Sequence, residues 1–131
     1  PLTSLLGQLS EDRYMLKFYG YKKCDTCRKA EKALVKLGKE YEFVDITLDP
    51  PSPSGLKKIV QQSGAELKKF FNTSGVQYKE LNIKDKVPGK TETQILAMLA
   101  GNGRLLKRPL VTDGGKSTVG FDEAAFAKVW K

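Results

Sequence analysis

Met15-Leu16-Lys17-Phe18-Tyr19-Gly20-Tyr21-Lys22-Lys23-Cys24-Asp25-Thr26-Cys27 decides the reading of this chain. Its first five residues form a short β-type run that Gly20 ends. From Cys27 a helical pattern runs to Leu37. Cys27, Ala30, Leu34 and Leu37 recur on one face, and Arg28, Lys29, Lys32 and Lys36 fall elsewhere. Gly38 follows where a helix-ending glycine belongs. Tyr41-Glu42-Phe43-Val44-Asp45-Ile46 then alternates as a second strand. Strand, helix and strand within roughly 30 residues make a βαβ unit with parallel strands.

This placement sets Cys24 and Cys27 between a strand and a helix, in the helix's first turn. Unpaired N–H groups and the positive end of the helix dipole favour a thiolate there. Lys22 and Lys23 add positive charge beside it. Cys24 is therefore expected to titrate below an ordinary thiol and to be the attacking sulfur. Cys27, one turn on and on the apolar face, is expected to be buried and to act second. A spacing of three lets the two sulfurs meet in a disulfide. A C-x-x-C beside a βαβ unit is the thioredoxin-like redox signature. Two incidental cysteines, or half of an intermolecular metal site, are the alternatives.

Working outward, composition narrows the chemistry. The chain has 131 residues, the size of one domain, and no histidine. That excludes Ser-His-Asp and Cys-His catalysis and any zinc site with an imidazole ligand. Two cysteines cannot build a Cys₄ zinc site or hold an iron–sulfur cluster within one chain. The longest apolar block, Ile95 to Ala100, is far short of the ~18 residues of a membrane span. Residues 1–14 lack the pattern of a secretory signal and read as an N-terminal extension, native or added. Met15 is a candidate native start. A cytoplasmic location with cysteines reduced at rest is the expectation, so their spacing reads as redox chemistry. Net charge +8 favours anionic partners. Its lysines are spread along helical stretches without an arginine cluster, so direct nucleic-acid binding is not expected.

Residues 15–131 read as one domain. Asp49-Pro50-Pro51-Ser52-Pro53 breaks the chain, and a mostly helical insert follows over about 53–101. Ser54 to Ser63 and Ala65 to Phe71 read as helices, and Asn72-Thr73-Ser74-Gly75 as a turn. Thr91-x-x-Gln94 has capping-box spacing for a further helix through Ala100. Leu110-Val111-Thr112 and Ser117-Thr118-Val119 flank Asp113-Gly114-Gly115-Lys116 as a β-hairpin. Asp122 is the expected N-cap of the last helix, with Phe121 and Phe126 as its hydrophobic staple. The fold class is thus α/β: a thioredoxin-like fold (βαβ, helical insertion, ββα) with a mixed four-stranded sheet.

Arg108-Pro109 precedes the third strand. In a thioredoxin-like fold a cis-proline there faces the C-x-x-C turn, so Pro109 is expected to be cis. Arg108 then lies near Cys24 as a forked donor to an oxyanion or carboxylate. A plain surface arginine is the alternative. Gly114-Gly115-Lys116-Ser117 lacks the first glycine of a P-loop and precedes a strand, so it reads as a hairpin turn.

The chain resembles the arsenate reductase (ArsC)/Spx family. The matching stretches are residues 18–30, Asp45-Ile46, Phe71-Asn72-Thr73-Ser74-Gly75, Lys107-Arg108-Pro109-Leu110 and Val119-Gly120-Phe121. The resemblance implies a thioredoxin-like sheet with a helical insertion. In arsenate reductases a cysteine at the position of Cys24 attacks arsenate amid three arginines. Of those, Arg108 alone has a counterpart; Asn72 and the Gly120-Phe121 region hold the other two places. Arsenate carries about two negative charges, so its binding is expected to be weakened. Cys27 resembles the second cysteine of Spx-like and uncharacterised glutaredoxin-like members, to which the chain is closer than to true arsenate reductases. In Spx regulators the C-x-x-C is a redox switch, and the protein binds the RNA polymerase α subunit. Gly64 matches a glycine implicated in that contact.

The expected function is a thiol–disulfide oxidoreductase of ArsC-like type, acting on a small thiol or oxyanion substrate, arsenate included. Cys24 and Cys27 carry the chemistry, while Arg108, Lys22 and Pro109 form the anion- or thiol-binding site. No bound cofactor or metal is expected. Glutathione, glutaredoxin or thioredoxin is the expected reductant, and a monomer is the default. The rival is an Spx-like redox-sensing regulator that binds RNA polymerase α.

Overall fold

The computed structural model describes residues 16–131. The expectations for residues 1–14 and Met15 lie outside the described residues. Strand β1 (Leu16–Gly20) leads into helix α1 (Asp25–Lys36) and strand β2 (Tyr41–Asp45). The insert comprises α2 (Pro53–Ser63), a 3₁₀ turn (Leu67–Phe70), α3 (Val76–Glu80), α4 (Ile83–Lys86) and α5 (Glu92–Gly101). A second 3₁₀ turn (Gly103–Leu105) precedes β3 (Leu110–Thr112), β4 (Ser117–Val119) and α6 (Glu123–Trp130). The sheet order is β2-β1-β3-β4, with β1 parallel to β2 and both other pairings antiparallel. The mixed four-stranded sheet and the order βαβ, insert, ββα follow the sequence expectation.

Each sheet face has its own apolar layer, because strand side chains alternate. Phe18 and Val111 point to the face covered by α1 and α6, where they pack with Cys27, Ala30, Leu34, Phe126 and Trp130. Leu110, one residue from Val111, joins the opposite layer with Leu56, Ile59, Leu96 and Leu99 of the insert. Local signals close the helices as expected. Thr91 and Gln94 form a reciprocal capping box, with bonds of 3.2 and 2.9 Å. Asp122 Oδ1 accepts from the Ala125 amide at 3.0 Å. The Phe121 and Phe126 rings lie 5.1 Å apart, edge to face.

The insert departs from expectation in one stretch. Ala65–Phe71 is not an α-helix; only a 3₁₀ turn forms over Leu67–Phe70. Phe71 pairs antiparallel with Leu106, the Asn72 amide donates to Leu105 O at 2.7 Å, and the Lys107 amide donates to Phe70 O at 2.7 Å. These tertiary backbone bonds satisfy groups that a helix would otherwise use. They also carry the Asn72 turn against the segment that enters Arg108-Pro109. Gly64 caps α2 at φ 71°, a left-handed backbone that by itself calls for glycine.

Candidate active site

Cys24 is the N-cap of α1, with φ −94° and ψ 118°. Its amide donates to Tyr21 O at 3.1 Å, closing the tight turn that follows β1. Its Sγ accepts the Cys27 amide at 3.3 Å, the place an oxygen cap usually fills. A thiolate accepts such a bond more strongly than a thiol. Cys24 is half-buried and Cys27 wholly buried, and both are free thiols. Burial pushes the Cys27 thiol up to about 12, with a smaller push from the Cys24 sulfur and a partial counter-effect from Arg108. The expected division into an accessible sulfur and a buried one is therefore present in the geometry.

Cys24 opens onto a cleft of about 690 Å³ whose wall includes Thr26, Asn72, Lys107, Arg108 and Phe121. The Arg108–Pro109 peptide is cis. Pro109 is buried, and its carbonyl accepts the Gly120 amide at 2.9 Å, which ties the entry of β3 to the exit of β4. Arg108 is half-buried, with its guanidinium 5.4 Å from the Tyr21 ring. The Thr47 hydroxyl and amide hold the Asp45 carboxyl below its ordinary range, and the charge of Arg108 contributes in the same direction.

Lys22 needs a correction. It was expected beside the attacking sulfur, yet it does not line the cleft. Its Nζ lies 3.7 Å from Glu31 Oε1 and 3.9 Å from the centre of the Phe43 ring. The turn after β1 sends the side chain toward β2 and the flank of α1, where a carboxylate and an aromatic face hold it. Lys107 is the lysine at the cleft. Its side chain crosses Gly120, where a Cβ would come within 3.0 Å of Lys107 Cε. Asn72 and Gly120-Phe121 also line the cleft, so all three places that the resemblance assigns to arginines face it, and Arg108 alone carries a guanidinium. Asn72 lines the cleft at a place the resemblance gives to an arginine, whereas Lys107 was not singled out as a site residue. The signal that could have found Lys107 was its position next to Arg108.

The raised groups set an alkaline limit on stability. Tyr41 is also pushed up to about 12, first by burial and then by its bond to Glu31 Oε1 at 2.8 Å. The unfolded chain releases these protons near ordinary values, about 8.5 for a thiol and 10 for a phenol. The folded chain binds more protons over that interval, so its stability falls as pH rises from about 8.5 toward 12. Urea midpoints measured at pH 7, 9, 10 and 11 should decrease in that order, and Cys27→Ala should flatten the first part of the decline.

Fold and site together define a thioredoxin-like protein with a C-x-x-C at the start of its first helix. The chain belongs to the ArsC family, whose sequence profile matches residues 19–129. It is 52% identical over 115 residues to the uncharacterised protein YusI of Bacillus subtilis (strain 168), covering 88% of this chain and 98% of that one. A solved structure described as a possible arsenate reductase, from Streptococcus mutans UA159, is 43% identical with a TM-score of 0.76, over 82% of this chain and 92% of that one. The global transcriptional regulator Spx of Listeria monocytogenes serovar 1/2a is 26% identical over 110 residues, covering 83% of this chain and 82% of that one. Among the described residues no helix is long and apolar enough to cross a membrane.

Proposed function

We propose that this chain is a thiol–disulfide oxidoreductase acting on small anionic thiol compounds. The observation that carries the reading is the pairing of a half-exposed Cys24 sulfur at the cleft with a wholly buried Cys27 one turn on. With a glutathione mixed disulfide, the Cys24 thiolate attacks the glutathione sulfur and the other thiol leaves with a proton. Cys27 then attacks Cys24 Sγ. Its proton passes to the departing glutathione thiolate, and a Cys24–Cys27 disulfide remains. Glutathione, glutaredoxin or thioredoxin supplies two electrons to restore both thiols. Arg108 binds the substrate's carboxylate or oxyanion as a forked donor. No resident cofactor is needed for these steps.

Arsenate is the weaker substrate in this reading, because two of the three arginine places hold no arginine. The test is turnover by the wild type with arsenate and with a glutathione mixed disulfide, with glutathione as reductant. Disulfide turnover well above arsenate turnover supports the reading. Turnover of neither substrate, with capture of RNA polymerase α by the oxidised chain, supports the regulator instead. Arg108→Ala should raise KM for the anionic disulfide about tenfold or more, the value of one charge-assisted contact. Arg108→Lys should recover part of that loss, since it keeps the charge but not the fork. Equal KM values for wild type and Arg108→Ala would remove the arginine from the site.

A further inference from the structure

We propose that the groove between α1 and α6 is the docking surface for an acidic protein dithiol that reduces the Cys24–Cys27 disulfide. The proposal rests on the redox reading above. The groove encloses about 510 Å³. One lip is a stripe of Lys29, Lys32 and Lys36, at helical spacing along α1. The floor is apolar, with half-buried Ala33, Leu37 and Phe121. All three lysines are exposed, and among the described residues none pairs with a carboxylate. Glu123 lines the opposite side, and Asp122 lines the adjoining cleft. Three unpaired cations above an apolar floor complement an acidic surface with an apolar centre.

Position decides which acidic partner fits. Phe121 lines both this groove and the cleft that Cys24 opens onto, so the two adjoin at that ring. The lysine stripe begins on the same helix that Cys24 caps. A protein seated on the groove reaches the accessible sulfur without entering the core. Its first thiolate bonds to Cys24 Sγ, the Cys24–Cys27 bond breaks, and Cys27 takes up a proton. Its second thiol, as thiolate, attacks the intermolecular disulfide and releases Cys24. The partner leaves as its disulfide, having given two electrons.

The experiment compares reduction of the oxidised chain by an acidic thioredoxin and by dithiothreitol. The variants are Lys29→Glu/Lys32→Glu/Lys36→Glu and a control of equal charge change, Lys57→Glu/Lys58→Glu/Lys84→Glu. At about 0.02 M salt the groove variant should lose about tenfold or more in rate with thioredoxin, and the loss should shrink near 1 M salt. Its rate with dithiothreitol should match wild type, and the control should match wild type with both reductants. An unchanged thioredoxin rate overturns the proposal. So does an equal loss in the control, which assigns the effect to net charge. So does a parallel loss with dithiothreitol, which assigns the lysines to the sulfur chemistry. Should the wild type form no Cys24–Cys27 disulfide on oxidation, the redox reading fails first and the docking proposal falls with it.

Discussion

Cys24→Ser is expected to lower turnover of a glutathione mixed disulfide by at least about 10³-fold, the scale on which loss of a covalent nucleophile is felt. Serine keeps an oxygen cap for the Cys27 amide, which now bonds Cys24 Sγ at 3.3 Å, so α1 should remain intact. The unfolding midpoint should therefore stay within a few degrees of wild type while activity disappears. Cys27→Ser should behave differently. With no free thiol added, attack by Cys24 is preserved but nothing resolves the mixed disulfide, so one equivalent of substrate thiol is released and the protein stalls with glutathione on Cys24. Residual turnover above one-tenth of wild type in Cys24→Ser would assign the attack to another group. That comparison is made from initial rates on purified variants, with mass spectrometry of the intact chain.

Gly103→Ala is expected to be the most damaging single-methyl change. Gly103 is buried, and a Cβ there would overlap the carbonyl oxygen of Ile46, a backbone atom at the end of β2. Neither side can yield cheaply. Ile46 is wholly buried, its amide donates to Gly20 O at 3.0 Å, and the Gly103 carbonyl accepts the Leu106 amide at 3.2 Å. Overpacking of this kind costs about 3 kcal/mol or more. For a domain of this size that lowers the melting temperature by about 10 °C. The damage should reach the site, because the turn at Gly103–Leu105 feeds the segment that positions Lys107 and Arg108. A melting temperature within about 2 °C of wild type would show that this contact relaxes freely.

The features legible in the sequence were those encoded by neighbours in the chain. The strand ending at Gly20, the apolar stripe Cys27-Ala30-Leu34 and the pair Thr91/Gln94 each state their own structure through local periodicity or capping. The placement of Cys24 at the helix cap and of Cys27 buried one turn on followed from where a helix begins. The features that were not legible depend on distant backbone. Ala65–Phe71 carries helical spacing, but Phe71 is taken by Leu106 and the segment becomes a short 3₁₀ turn. Lys22 is two residues from Cys24 in the chain, and that closeness misled; in space the residue belongs to Glu31 and Phe43. Lys107 and Asn72 reach the cleft because their backbones lie in one antiparallel pairing, a relation no local pattern records. A charge beside a cysteine in sequence is thus weaker information than a charge placed beside it by the sheet.

The identity of the sulfur that reacts first is the most direct test of the account. The reduced chain is exposed briefly to glutathione disulfide at neutral pH, quenched in acid and mapped by peptide mass spectrometry, for wild type and for Cys27→Ser. A Cys24–Cys27 disulfide is expected in the wild type and glutathione on Cys24 in the variant. Glutathione found on Cys27 of the wild type, or neither cysteine modified in either protein, would contradict it.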